Sequence, residues 1–187
     1  LLSLRGWPLV ASFAVAALVA ALAAIPLGLA ALRLREDYLA IVTLGFSETV
    51  RITLQQEQWL TQGVQGLPGI PKLFASLGRG TADIATFVTL AAAVALAAWA
   101  THLLKASPFG RLLRAIRDNE AAVIALGKDP ARCKIQVFMF GAALAGIAGA
   151  FYAHFLTFIS PEQFVPLVTF YVWMSIILGG VGSVRGA

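Results

Sequence analysis

The stretch SPFGRLLRAIRDNEAAVIALGKD, Ser107 to Asp129, decides the fold because it is a polar insert between two long apolar runs. Seven of its 23 residues are charged, whereas the flanking runs, Ile84 to Leu104 and Ile135 to Ile159, contain no Asp, Glu, Lys or Arg. About 20 apolar residues in a helix are long enough to cross a hydrocarbon core of roughly 30 Å. The chain is therefore predicted to cross a membrane, emerge as the insert and cross back.

The whole composition agrees with a membrane protein. The chain has 187 residues, of which 59% are hydrophobic and 12% charged, and its mean hydropathy is +0.84. We expect a single transmembrane domain over residues 1–187. The sequence begins at Leu1 and finishes with GGVGSVRGA, so we expect both ends to lie within a longer chain. The single cysteine, Cys133, excludes an intrachain disulfide framework and a cysteine-rich metal site.

Five membrane spans are predicted, which makes the fold class an all-α polytopic transmembrane bundle. Three spans are strongly apolar: Gly6 to Leu32, Ile84 to Leu104, and Ile135 to Ile159. Two are weaker: Tyr38 to Leu54, which contains charged residues, and Pro166 to Val181, which is short and ends in glycines.

The distribution of Lys and Arg predicts the orientation, because short loops rich in these residues stay cytoplasmic. Seven of them lie between Lys105 and Lys134. With that loop inside, ten of the 14 Lys and Arg residues are inside and four outside. The N-terminus is then outside, the C-terminus inside, and a periplasmic loop runs from Gln55 to Asp83. The basic balance therefore reflects topology and does not indicate a nucleic-acid partner.

Two short helices are predicted within the insert. Apolar residues recur at i, i+3, i+4 and i+7 of the first, with arginines on its other side, which indicates an amphipathic helix. The apolar positions are Phe109, Leu112, Leu113 and Ile116, and the basic ones are Arg111, Arg114 and Arg117. Ser107 and Pro108 suit its start. The second helix is predicted to begin near Asp118 or Asn119 and to stop at Gly127.

Two interpretations of the insert follow from the residues alone. A basic amphipathic helix is typical of a segment that lies against anionic lipid. The second helix favours a docking element for a cytoplasmic partner, because it is short, ends at a glycine and lacks a basic face.

The insert, extended to SPFGRLLRAIRDNEAAVIALGKDPARCKI, resembles the cytoplasmic coupling loop of the M-type permease subunits of branched-chain amino acid ABC importers. Five further segments resemble the same family in the same order: LRLREDYLAIVTLGFSETVRI, TQGVQGLPGIP, AALAGIAGAFYA, ISPEQF and LGGVGS. The general permease signature has three residues between EAA and its glycine, whereas EAAVIALG has four. The matching positions are therefore Glu120, Ala122, Leu126 and Gly127.

The resemblance implies that residues 120–127 form a coupling helix, which docks in a cleft of a separate ATPase subunit. Ala121, Ala122 and Ala125 would allow close approach, and Gly127 a sharp turn. The three arginines of the first helix would pair with acidic groups of the ATPase or with lipid phosphates. The other implied partners are a second permease subunit, a periplasmic substrate-binding protein and the lipid bilayer of the bacterial inner membrane.

No catalytic or metal site is predicted. A P-loop ends in Gly-Lys followed by Ser or Thr, but Gly127 and Lys128 precede Asp129, so ATP is expected only on a partner subunit. Two distant histidines, His102 and His154, do not form a zinc or nucleophilic site, and we interpret them as rings at the membrane interface.

The second span contains a candidate for the substrate path. Glu48 is an acid inside a predicted span, which is by default a functional candidate. Arg51 is three residues on, so a structural ion pair is the alternative. Thr43, Ser47 and Thr49 add polarity to the same helix.

Three further features of the sequence concern helix packing, helix bending and the outer loop. The fourth span carries small residues that predict a close helix packing seam or a sliding surface. They are Gly141, Ala145, Gly146, Ala148, Gly149 and Ala150. The glycines Gly179, Gly180 and Gly182 would allow the chain to bend near the end of the fifth span. The outer loop is predicted to be turn-like, with Trp59 and Phe74 as interface anchors.

We therefore expect a permease subunit that moves branched-chain or related amino acids and binds no cofactor of its own. Permeases for urea, amides or sugars are the nearer alternatives. An ion-coupled secondary transporter would require more intramembrane acids or a broken helix, and a channel would require a polar pore-lining stripe.

Overall fold

The computed structural model describes residues 7–32, 36–58, 62–74 and 78–180. Within these ranges the helices are α1 (Leu9–Ala31), α2 (Glu36–Gln56), α3 (Arg79–Ala106), α4 (Pro108–Asp118), α5 (Glu120–Ala125), α6 (Pro130–Leu156) and α7 (Pro166–Gly179). Two short strands, β1 (Leu67–Pro68) and β2 (Phe158–Ile159), and two 3-10 helices, Gly63–Gln65 and Pro161–Gln163, lie between them. The predicted all-α class is confirmed.

Four of the helical segments in the described ranges are long and apolar enough to cross a membrane. They are Leu9–Ala30, Gly80–Ala106, Pro130–Leu156 and Pro161–Gly179. Most of their side chains are not covered by other parts of the protein. Such exposed apolar side chains are stable where lipid covers them. The other predicted span corresponds to α2, a helix of 21 residues that contains four charged residues and is not in this group. Its crossing of the membrane stays a prediction.

The span boundaries differ from the predicted ones where local signals override hydropathy. Helix α6 begins at Pro130, before the apolar run, because the Asp129 side chain accepts hydrogen bonds from the Ala131 and Arg132 amides. It ends at Leu156, since Phe158 and Ile159 form β2. Helix α7 ends at Gly179, and the following Gly180 has a φ of +97°. Gly182 and Trp59 lie outside the described residues.

The contacts of the described residues divide the chain into two units. In the unit that holds α1, α3, α4, α5 and most of α6, helices α1 and α6 pack in opposite directions. Phe13 contacts Phe151 edge to face, with ring centroids 4.7 Å apart, whereas Gly28, near the other end of α1, lies against Ile135. Such antiparallel packing is what the predicted orientation requires of the first and fourth spans.

Among the small residues of α6, the structure distinguishes Gly146 from its neighbours. A Cβ at Gly146 would lie 2.6 Å from the Ala16 carbonyl oxygen and 2.8 Å from the Ala20 Cβ. A Cβ at Gly141 or Gly149 would meet nothing within 4 Å. Close approach of α1 therefore depends on one glycine of this face.

In the other unit, the outer loop is joined to the segment that follows α6. Strands β1 and β2 pair antiparallel, with Leu67 opposite Ile159. The Ile70 amide donates to the Thr157 carbonyl at 3.1 Å, and the His154 Nδ1 lies 2.8 Å from the Pro71 carbonyl oxygen. The His154 side chain is 4% exposed and held against the loop, and its position at the level of the membrane interface stays a prediction. His102 is exposed.

We predict that Gly146→Ala destabilises the protein by about 1–3 kcal/mol, because the added methyl group requires the α1 backbone to move. The matched control is Gly149→Ala, which adds the same methyl group to open space. Thermal unfolding in detergent measures both. Equal unfolding temperatures for the two variants would show that α1 and α6 are not packed at Gly146.

Candidate coupling site

Helix α4 begins immediately after α3 because Ser107 caps it. The Ser107 Oγ accepts from the Gly110 amide at 3.2 Å and donates to the Leu104 carbonyl at 2.6 Å, so one hydroxyl joins the two helices. Pro108 occupies the first turn. A Cβ at Gly110 would lie 2.4 Å from the Leu104 carbonyl oxygen, so only glycine permits this tight reversal.

The apolar side of α4 is covered by the protein itself. Ile116 forms a buried cluster with Val123 of α5 and Cys133 of α6. Three further side chains pack against the cluster: Phe109, Leu112 and Leu113. All four predicted apolar positions of the amphipathic helix therefore lie in or beside this cluster, with Ile116 buried and the other three partly buried. A helix that lay on lipid by this face would have to expose the cluster.

Both ends of α5 are fixed by hydrogen bonds that its sequence predicts. The Asn119 Oδ1 accepts from the Ala122 amide at 3.0 Å at the start of the helix. At its end, Gly127 has a φ of +72°, a left-handed conformation that favours glycine. The Gly127 amide donates to the Ile124 carbonyl and the Lys128 amide to the Val123 carbonyl, which together form a Schellman motif.

The short helix is also tied to α6 by charge. The Lys134 Nζ lies 2.7 Å from the Glu120 Oε1, which joins the first turn of α5 to the first turns of α6. Asp129 pairs with Arg132 at 3.0 Å while capping the same helix. Both pairs are exposed and each is weak by itself, but the Glu120–Lys134 pair restrains α5 in the same position as the apolar cluster does.

The outward side of α5 is apolar and exposed. Of its six residues only Val123 is buried, at 4% exposure, whereas Ile124 is 57% exposed. The adjacent Leu126 is 79% exposed, and Ala121, Ala122 and Ala125 are exposed as well. We call Ile124, Leu126 and these three alanines the knob. A rigid apolar protrusion that the rest of the described chain leaves uncovered is typical of a protein docking surface.

The arginines of α4 lie on the exposed side of that helix. Arg117 pairs with Asp118 at 3.1 Å, and Arg114 makes a long contact of 3.5 Å with the Lys105 carbonyl oxygen. Arg111 is exposed. All three are therefore able to meet an anionic partner, and they lie next to the knob in sequence rather than on it.

The structure thus brings together Glu120, Ala121, Ala122, Leu126 and Gly127, the predicted coupling residues of the second helix, on one capped turn. Sequence reasoning missed two residues that hold this turn, Val123 and Lys134. Val123 is one of several apolar residues in EAAVIAL, and no signal marks it as the buried one; Lys134 is 14 residues from its partner, beyond any helical spacing. Cys133, for which the sequence predicts neither a disulfide nor a metal site, is a member of the buried cluster.

The candidate residues of the substrate path lie on α2. The Arg51 Nε donates to the Glu48 Oε2 at 2.9 Å, and Arg51 Nη2 contacts the other carboxylate oxygen, so the pair is bidentate. Ser47 and Thr49 hydrogen-bond to carbonyls of their own helix at 2.8 Å. The α2 helix contacts both 3-10 helices, and Glu162 adds its negative charge near Arg51. The ion pair therefore lies toward the outer-loop end of α2, and Thr43 is half-buried on the same helix.

Within the described residues, no group of three or more His, Cys, Asp or Glu side chains is arranged to hold a metal ion.

Comparison with known proteins gives one consistent result. Residues 1–187 match the protein family described as "Branched-chain amino acid transport system / permease component". The chain is 38% identical over 192 residues to the high-affinity branched-chain amino acid transport system permease protein LivM of Escherichia coli K12. It is 39% identical over 191 residues to the LivM protein of Salmonella typhimurium LT2.

Each of these alignments covers 90% of the chain and 45% of the relative, so the chain spans about half the length of the curated relatives it matches. No solved structure matches the chain significantly.

We predict that Val123→Ala loosens the buried cluster and makes the Cys133 thiol more reactive. Loss of two buried carbon atoms costs about 1.5 kcal/mol, which corresponds to a roughly tenfold increase in the open population and in the labelling rate. Maleimide labelling followed by peptide mass mapping measures the rate at Cys133. The control is Ile124→Ala, which shortens an exposed neighbour and is expected to leave the rate unchanged. Fast labelling of Cys133 in the unaltered protein would contradict the burial of this cluster.

For the ion pair of α2, we predict that Glu48→Gln lowers the unfolding temperature because it leaves the Arg51 charge without its bidentate partner. The double variant Glu48→Gln with Arg51→Gln removes both charges and should recover part of the loss. Thermal unfolding of the single and double variants measures the coupling. A lowered uptake rate with an unchanged unfolding temperature in Glu48→Gln would instead support a role in the substrate path.

Proposed function

The chain belongs to the branched-chain amino acid transport system permease family, and we propose that it is part of the membrane-spanning subunit of an ATP-driven importer. In this proposal, residues 105–134 form the cytoplasmic coupling loop, and α5 with its glycine cap is the element that docks on a separate ATPase subunit. This segment transmits movement of the ATPase to the membrane spans, and it catalyses no reaction of the solute.

One observation carries this proposal, which is the exposed knob on a short helix that is capped at both ends and fixed from behind. Ile124 and Leu126 present apolar side chains outward, and the surrounding alanines let another surface approach closely. A helix of six residues is too short to be stable by itself in water. Its caps, the Val123 contact and the Glu120 pair with Lys134 hold it in shape before a partner binds.

The alternative of a helix that lies on lipid is less well supported. An interfacial helix inserts its apolar face into the lipid boundary and keeps its charges outward. Ile116 is instead buried against α5 and α6, and the other apolar residues of α4 are partly buried beside it, so this face as a whole cannot insert into lipid. The knob of α5 carries no basic side chain of its own that would favour anionic lipid over a protein.

A movement of α5 would reach the membrane by short connections. Ser107 alone separates α3 from α4, and the segment between α5 and α6 is fixed by the Schellman motif and by the Asp129 cap. Helices α3 and α6 are both long and apolar enough to span a membrane. Closure of the ATPase would therefore bias these spans between two states without a flexible linker to absorb the displacement.

Branched-chain amino acids are the proposed solutes, because the named relatives are branched-chain amino acid permeases. Urea, amides and sugars remain alternatives for the cargo. We further propose a second permease subunit, a periplasmic substrate-binding protein that docks on the outer loop, and a multi-pass location in the bacterial inner membrane. ATP would bind the partner ATPase, and no cofactor is proposed for this chain.

We predict that Leu126→Asp in the full-length subunit reduces the ATPase that co-purifies with it at least about tenfold, because a buried apolar anchor at an interface contributes about 2 kcal/mol or more. Pull-down of the assembled complex from detergent, with the ATPase quantified on the same gel, measures the loss.

The matched control is Val64→Asp, which places the same charge at an exposed apolar site in the outer loop. ATPase recovery should be normal in this variant. Full ATPase recovery with Leu126→Asp, or equal loss in both variants, would refute the docking role of the knob. Uptake that persists without any ATPase partner would refute the importer itself.

A further inference from the structure

A cleft of about 230 Å³ lies where α3 ends and α4 begins. Its walls are formed by residues of both helices, namely Leu104, Lys105, Gly110, Leu113, Arg114 and Arg117. The cleft is on a different part of the loop from the knob, and none of the knob residues lines it.

The charges at this cleft are all of one sign. Lys105, Arg114 and Arg117 line it, and among the residues that the structure describes no acidic side chain does. The Asp118 carboxylate binds Arg117 at 3.1 Å, but both side chains are largely exposed, so this pair is weak. A guanidinium has five N–H donors, and the contacts found use one on Arg114 and two on Arg117. Each arginine therefore keeps donors for an anion.

The rest of the lining is apolar, and its position suits a lipid. Leu104 and Leu113 provide aliphatic walls beside the cationic rim. The apolar segment Gly80–Ala106 has 27 residues, so it is roughly 40 Å long and exceeds the hydrocarbon thickness of roughly 30 Å. Lys105, the second-to-last residue of α3, then lies at the level of the lipid headgroups, on the side predicted to be cytoplasmic.

Gly110 explains why the basic groups converge. Its lack of a side chain lets the first turn of α4 lie directly against the carbonyls of Leu104 and Lys105. Arg114 follows one helical turn later and Arg117 three residues after that, so both lie on the same side of α4 as Gly110. The reversal between the two helices thereby brings one cation of α3 beside two of α4.

From this arrangement we propose that the cleft binds the headgroup of an anionic phospholipid of the cytoplasmic leaflet. The phosphate accepts hydrogen bonds from Lys105, Arg114 and Arg117, and the glycerol and upper acyl chain lie against Leu104 and Leu113. An acidic side chain of a protein partner would satisfy the charges but would leave the aliphatic walls uncovered. Lipid bound here would stabilise the junction through which α4 is joined to the span α3.

Native mass spectrometry of the assembled full-length complex tests this inference. The delipidated complex is titrated in neutral detergent with phosphatidylglycerol or with phosphatidylcholine, and the dissociation constant of the first lipid bound is measured. Tighter binding of phosphatidylglycerol is expected. The double variant Lys105→Gln with Arg114→Gln should weaken the binding of phosphatidylglycerol roughly 30-fold, since each basic residue near an anionic lipid surface contributes roughly a factor of five.

The matched control is Arg111→Gln, which removes one positive charge from the same helix at a residue that does not line the cleft. Its affinity for phosphatidylglycerol should stay within about twofold of the unaltered complex. If the double variant fails to assemble, the dissociation constants are measured on the single variant Arg117→Gln. The two lipids are also compared on the unaltered complex.

Three results would overturn the inference. The first is equal affinity of the unaltered complex for the two lipids. The second is equal weakening by Arg111→Gln and by the cleft variants. The third is loss of the ATPase with unchanged lipid affinity in the cleft variants, which would assign these cations to a protein partner. None of these results depends on whether Leu126 docks on the ATPase, so the two proposals fail separately.

Discussion

The burial of Val123 against Ile116 and Cys133 is the contact on which the polar insert depends. It joins three consecutive helices, α4, α5 and α6, although α5 has only six residues. Helix formation has a costly nucleus, so a segment of this length is helical only where tertiary contacts and caps compensate for that cost. Val123 supplies the contact, and Asn119 and Gly127 supply the two caps. Without the buried valine, the apolar knob would be less firmly held.

A fixed knob has a mechanical consequence for the two apolar helices beside it. The Ser107 hydroxyl bonds backbone groups on both sides of the junction between α3 and α4, and Asp129 caps α6 two residues after Gly127. Each connection is one to a few residues long and is hydrogen-bonded. A force on α5 is therefore transmitted to α3 and α6 together. The apolar face of α4 is buried or partly buried inside this arrangement. The outward side of α4 is therefore polar, and the insert is ordered although it is polar in a mostly hydrophobic chain.

The local part of this structure could be predicted from the sequence, and the long-range part could not. Ser107, Pro108, Asn119 and Gly127 carry capping signals that act over three or four residues, and each ends or begins a helix as expected. Strand pairing between residues 67–68 and 158–159 joins positions about 90 residues apart with two residues on each side, which leaves no periodicity to detect. His154 illustrates the same limit, because its contact with Pro71 cannot be read from its place near a helix end. In α6, Gly146 and Gly149 look equivalent in sequence, and only the position of α1 distinguishes them.

Photo-crosslinking from position 126 in intact membranes tests whether the outward side of α5 meets an ATPase. A photoreactive amino acid at Leu126 is predicted to form its main crosslink with the ATPase subunit, whereas one at Val123, which is buried, should crosslink only within the chain. The Leu126 crosslink should also change in yield when the ATPase is held in its ATP-bound state. Crosslinking of position 126 to lipid alone, with no ATPase adduct in either state, would contradict the account.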